Sequence, residues 1–219
     1  MSNKQPDAPV TYMLDTNLLR YLTGKDSNQA ELQRLKESAE EFWTKSLHEV
    51  RDTGAAILLP QEVVRELSVQ MHVLPNETQE QLNRIIASLE KESFDLSSSL
   101  EYELRKFSSY AIQKYQDQIR PRQQTTTQGG MKDYKLEYLQ TSDARILVSA
   151  YLNDAILVTR NIKDFIVYLL FCAPEEKRLY DFVEKQFVTV PAEGLELVAQ
   201  DPHFQEVRAK LEHLLIGEE

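Results

Sequence analysis

Four carboxylates, Asp15, Glu66, Asp143 and Asp164, stand beside apolar segments that lie far apart in the chain. Their settings are TYMLDTNLL around Asp15, PQEVVREL around Glu62 and Glu66, and TSDARILVSAYLNDAILVTRNIKDF around Asp143 and Asp164. A charged side chain next to a buried strand or helix face is costly unless it is paired, hydrogen-bonded or bound to a metal. Carboxylates held close together repel and raise one another's pKa unless a cation neutralises them. An all-oxygen set without an ordered cysteine or histidine group suits Mg2+ or Mn2+ rather than zinc. His48, His72, His203 and His213 are scattered without ligand spacing and read as structural or surface residues. The chemistry within reach of such a set is metal-assisted hydrolysis, which requires no serine or cysteine nucleophile.

Each position also has a plainer structural reading. Asp15 precedes LLRYL in good N-capping sequence, and Asp143 follows Thr141 and Ser142 in what would be the first turn of a helix, where a carboxylate gains from the helix dipole. Glu62 and Glu66 are four apart and share a helix face. Glu66 borders the apolar side directly, between Val63 and Leu67, whereas Glu62 suits a solvated face. Asp164 and Asn161 occupy a turn after an apolar run. Taken singly, these are caps and turns; taken together, they are carboxylates that one sheet would gather.

The elements that must gather them follow from periodicity. VTYML reads as a strand entering a helix through Asp15, Thr16 and Asn17, and residues 28–49 carry an amphipathic helical pattern. AAILLP is a short buried strand closed by Pro60, and QEVVRELSVQM is the next helix. Two helical stretches follow between residues 76 and 117. RPRQQTTTQGG then reads as a mobile loop, broken by Pro121 and by Gly129 and Gly130. Beyond it come a helix at SDARILVSAYLN, a strand at AILVTR, a turn at NIKDF, a helix from Ile166 to about Ala173 and a strand at FVTVP. The last element is an amphipathic helix capped by Asp201 and opened by Pro202. Strands alternating with helices predict an α/β fold with a mostly parallel sheet covered on both faces, in which ligands sit beyond the carboxyl ends of the strands.

The chain has 219 residues, 42% hydrophobic and 27% charged, which suits one domain over residues 1–219 with residues 76–135 as an inserted segment. No basic and apolar leader opens the sequence, and its longest apolar run, IVYLLFCA, is far short of a membrane span, so a cytoplasmic protein is expected. The one cysteine, Cys172, has no internal disulfide partner and reads as a buried, inert core residue. A net charge of -10 argues against polyanion binding by the whole surface, though a local basic stripe would suffice for a nucleic-acid enzyme. Such a stripe exists between Arg105 and Lys135, where seven basic residues face two acidic ones and Tyr110, Tyr115 and Tyr134 are interspersed. Arg120, Arg122 and Lys132 are the expected contacts to a phosphate backbone there. A solvated helix pair with incidental charge is the plainer alternative.

In order and context, LDTN with Asp15, EVVREL with Glu66, DARILVSA opening at Asp143, and VTRNIKDF with Asn161 and Asp164 resemble the PIN-domain nucleases, whose best-known small members are the toxin ribonucleases of bacterial VapBC toxin-antitoxin pairs. The resemblance covers about residues 9–75 and 138–198. It implies a three-layer α/β/α sandwich with a helical insertion, an endoribonuclease site in which Asp15, Glu66, Asp143 and Asp164 hold Mg2+ or Mn2+, and Asn17 and Asn161 as polar helpers. RNA is the implied substrate, with an antitoxin protein or a second copy of the chain as further partners. A PIN-like module that binds RNA or protein without cleaving is the alternative. Aspartyl phosphatase chemistry is disfavoured because Asn17 stands where a second aspartate is needed, and no GxxxxGK[ST] or GxGxxG phosphate loop occurs.

Overall fold

The computed structural model describes residues 9–92, 96–125 and 130–216, with the side chain of Ile216 excepted. The first half runs as β1 (Thr11–Leu14), α1 (Thr16–Leu22), α2 (Ala30–Thr53), β2 (Ala56–Pro60) and α3 (Gln61–Met71). Helix α2 stops at Gly54, whose φ of 75° is the left-handed conformation that lacks a steric penalty only in glycine. The segment expected to be an insertion contributes α4 (Asn76–Ser88), β3 (Glu90–Glu92), α5 (Ser98–Ile119), β4 (Arg122–Gln124) and β5 (Met131–Asp133). The remainder is α6 (Thr141–Leu152), β6 (Ile156–Thr159), α7 (Ile162–Leu169), β7 (Leu179–Asp181), β8 (Gln186–Val188), α8 (Ala192–Ala199) and α9 (Pro202–Ile216).

Six strands form one sheet in the order β3-β2-β1-β6-β7-β8, parallel except for the last pair. Met13, Leu14, Leu157, Val158 and Thr159 are all fully buried. Successive strand residues point to opposite faces, so these runs require cover on both. On one face Tyr12 and Tyr180 meet Phe42 of α2, with ring centroids 5.5 Å apart in each case. Another aromatic group, Phe107, Phe171 and Phe204, joins α5, the end of α7 and α9. This is the α/β sandwich with a mostly parallel sheet that the alternation of strand and helix patterns predicts. From β1 the chain steps to β2 on one side and later to β6 on the other, so β1 and β6 flank the topological switch point. No helix among the described residues is long and apolar enough to cross a membrane.

Several elements differ from expectation. The helix expected from Ile166 begins at Ile162, so NIKDF is its first turn rather than a loop. Ile162, Phe165, Ile166 and Leu169 keep one helical spacing and are all buried. The tract expected to be a loop instead forms an antiparallel hairpin, with Arg122 opposite Asp133; its centre, residues 126–129, lies outside the described residues. Gln123 bonds β8 as a peptide group would, donating to the Phe187 carbonyl at 2.9 Å and accepting from Thr189 N at 2.9 Å. Strands β3 and β7, at three residues each, and helix α8, at eight, are too short to show a periodic pattern. The charged sequence Glu90-Lys91-Glu92 suits an exposed edge, where charge discourages pairing with another chain.

Candidate functional site

Asp15 follows β1 directly and stands at the N-cap position of α1, but its side chain makes no capping bond. The carboxylate is 4% exposed, and its Oδ2 accepts from Asn17 Nδ2 at 2.9 Å and from the Thr159 hydroxyl at 2.7 Å. Thr159 ends β6, so the bond ties the two central strands together beyond their last paired residues. Burial raises the pKa of Asp15, the Thr159 and Asn17 hydrogen bonds oppose that rise, and the Glu66 carboxylate adds to it. Thr16, next in sequence, donates its hydroxyl to Glu66 Oε2 and so brings α3 to the same spot.

Asp143 lies in the first turn of α6. It takes part in a capping box, its Oδ2 accepting from Gln140 N at 3.2 Å. The capping reading is therefore realised, with Gln140 rather than Thr141 or Ser142 as the cap. Capping does not exhaust its role, because its carboxyl is pushed up to about 7, first by burial and then by Asp164, with Asp15 and Glu66 contributing further. Asp143 thus feels the other three carboxylates, and Asp15 feels Glu66, across the crevice between the ends of β1 and β6. Asp164, 8% exposed in the first turn of α7, is also raised, mainly by burial, and accepts a hydrogen bond from Asn161 Nδ2. Asn17 thus sits on Asp15, and Asn161 on Asp164.

Glu62 is not a solvated bystander. Its Oε2 takes Arg145 Nη1 at 3.1 Å and Arg65 Nη1 at 3.3 Å, while Arg145 Nη2 reaches Glu101 Oε2 at 3.4 Å. Arg145 is two residues beyond Asp143, so this bridge fixes α6 against α3, which carries Glu66, and against the inserted α5. Thr16, Thr159 and Arg145 escape a search for ligands because their own chemistry is unremarkable; only their positions beside Asp15, Asp143 and the strand end signal them.

The donor set fits a hard divalent cation in kind, since it is all carboxylate oxygen and mutually repelling. In the arrangement shown, however, no three acidic or histidine side chains among the described residues form a ready cage for an ion. Asp15, Glu66, Asp143 and Asp164 each spend an oxygen on a local donor instead. The three basic residues expected to meet RNA have partners within the protein. Arg120 and Arg122 both approach Asp133, at 2.6 and 3.7 Å, and Lys132 lies 3.0 Å from Asp181 and 3.3 Å from Glu184.

No protein-family model matches the chain, and no curated protein matches it. Among solved structures the chain is similar to the crystal structure of FitAcB from Neisseria gonorrhoeae, with 13% identity, 72% of this chain and 92% of that chain covered, and a TM-score of 0.43. That is a distant likeness.

Proposed function

We propose that the protein is a PIN-like, Mg2+- or Mn2+-dependent endoribonuclease in which Asp15, Glu66, Asp143 and Asp164 hold the metal. The observation that carries this reading is the placing of Asp143, a carboxyl raised first by burial and then by three other carboxylates in a crevice at the switch point of a parallel sheet. A protein that keeps four acidic groups in mutual repulsion gains by binding a cation there. When bound, a divalent cation lowers the pKa of water and offsets charge on the phosphoryl oxygens.

The chain's own residues do the rest. Thr159 and Asn17 fix the Asp15 carboxylate, Thr16 fixes Glu66, and Asn161 fixes Asp164, so each ligand is held by a neighbouring donor. Asp143 keeps Oδ2 on the Gln140 amide and uses Oδ1 to orient the attacking water or accept its proton. Arg145 acts as a positioning residue, keeping α3 and α6 in register.

The absence of a ready three-carboxylate cage favours a second reading, a PIN-like module that binds RNA or a protein partner without cutting. Incubation of the purified protein with total RNA, in Mn2+, in Mg2+ and in chelator, separates the two. Cleavage confined to the metal-containing arms supports the nuclease; intact RNA in every arm removes it. As the toxin of a toxin-antitoxin pair, the protein would arrest growth on expression in a bacterial host, and Asp143→Asn would relieve the arrest.

A further inference from the structure

Beside the carboxylate crevice lies a groove of about 470 Å³ whose walls come from the inserted hairpin and from the first turn of α7. In a chain of net charge -10, its lining holds Lys132, Lys135, Arg160 and Lys163 against Asp133 alone. Asn17 and Asn161 also line it, and these are the residues that bond Asp15 and Asp164. The groove therefore opens onto the acidic site through shared residues.

The four cations are not equivalent. Lys132 is spent on Asp181 and Glu184, which are 0% and 5% exposed. Tyr134 adds a hydroxyl bond to Asp181 at 3.0 Å, so the pair Lys132 and Tyr134 tethers the hairpin to the end of β7. Lys135 is exposed and has no ion pair among the described residues. Arg160 pairs with the exposed Glu31 at 3.0 Å, and Lys163 with the exposed Glu137 at 2.7 Å, contacts of small net worth that an incoming anion displaces. Arg160 also covers the ring of Tyr21, 5.7 Å from its centroid. The connection after the hairpin runs along α7, with Glu137 N bonded to the Lys163 carbonyl at 3.0 Å; it exposes Tyr138 and ends at the capping box of Asp143.

Resting on the nuclease reading for its orientation, we infer that this groove is the track of a single-stranded polynucleotide, with Lys135, Arg160 and Lys163 on consecutive phosphates and the inserted hairpin as its outer wall. Exposed Tyr138, on the connection beside the groove, offers a face to an unstacked base, which a duplex would not supply. The hairpin and Lys135 belong to the segment outside the resemblance, whereas Arg160 and Lys163 lie within it, so the segment before residue 138 supplies one wall of the track and one of its three cations. Lys132 is a tether here rather than a phosphate contact.

The test measures binding of a labelled single-stranded oligoribonucleotide in chelator, where no cutting occurs, to the wild type and to the triple variant Lys135→Gln, Arg160→Gln, Lys163→Gln. A second triple variant, Lys25→Gln, Lys91→Gln, Arg208→Gln, removes the same charge from exposed sites elsewhere. The groove variant should bind about tenfold or more weakly, and its slope of log K on log salt should fall by about 2, at roughly 0.7 per lost phosphate contact. The control should bind as the wild type does. Equal affinity of the groove variant, an equal loss in the control, or equal binding of a duplex of the same sequence overturns the proposal. Its fate is separable from that of the nuclease. Wild-type binding lost in the groove variant, with no cleavage in Mn2+, leaves the track and removes the enzyme; cleavage unchanged in the groove variant does the reverse.

Discussion

The hydroxyl of Thr159, the last residue of β6, donates to Oδ2 of Asp15, one residue beyond β1, at 2.7 Å. The Thr159 Oγ1 itself accepts from Asn161 N at 2.7 Å, so one buried threonine orients a carboxylate and starts the turn into α7. Thr159→Val keeps the shape and removes both bonds. It should cost about 1–3 kcal/mol, because a buried carboxylate oxygen and a backbone amide lose a partner. Urea unfolding checks the cost, and a loss of cleavage larger than that from an equally destabilising core variant checks the orienting role.

Asp143→Asn should raise the melting temperature of the protein in chelator at about pH 8. The amide retains an acceptor for Gln140 N, and it removes a charge held against burial and three other carboxylates. In saturating Mn2+ the order should reverse, since the wild type gains ligand stabilisation that the variant lacks. A variant that melts below the wild type in chelator would show that the repulsion is relieved in some other way.

Asp201 caps α9 through His203 N at 2.8 Å and takes Lys114 at 2.8 Å, Tyr110 at 2.7 Å and Tyr115 at 2.6 Å. Against the cost of burial, the Lys114, Tyr115 and Tyr110 contacts hold its carboxyl well below the usual 3.8. A depressed folded pKa contributes stability that is present above the unfolded value and lost as pH falls through the folded one. The stability gap between wild type and Asp201→Asn should therefore be full at neutral pH and shrink in acid below about pH 4. Denaturant titrations at a series of pH values would contradict this by showing a constant gap.

Gly194 of α8 lies against α5 so closely that an added Cβ would stand 2.2 Å from the Gln118 carbonyl oxygen and 2.7 Å from its carbon. Backbone cannot yield as a flexible side chain does. Gly194→Ala should destabilise by about 3 kcal/mol, at the upper end of overpacking costs. An unchanged melting temperature would mean that α8 is not seated on α5 in this way.

Cys172, expected to be inert, is only partly buried, yet its thiol is pushed up to about 12, chiefly by burial, and donates to the Tyr168 carbonyl at 3.3 Å. Maleimide should label it slowly in the folded protein and rapidly in denaturant, because the thiolate is the reacting species.

The strands that end at Asp15 and Thr159 were legible because both faces of each are covered, which leaves an unbroken apolar run in the sequence. Helix α3 was legible because Val63 and Leu67 keep one face. By contrast, β3 and β7 pair through backbone groups that every sequence possesses, and the hairpin is held by Lys132 on Asp181, a contact between residues 49 apart that no local pattern announces. The site divides in the same way. The type and setting of Asp15, Glu66, Asp143 and Asp164 marked them, while their supports, Thr16, Thr159 and Arg145, gained their roles only from the fold.

In the proposed function these four carboxylates cut RNA by holding a metal ion. The most direct measurement is the rate of RNA cleavage in Mn2+ by the wild type and by Asp143→Asn, with both shown to be folded by thermal melting. The account predicts cleavage by the wild type that chelator abolishes, and a rate at least about a hundredfold lower in the variant, the scale of losing an electrostatic contact at the reacting group. Equal rates, or wild-type cleavage that survives chelator, would contradict it.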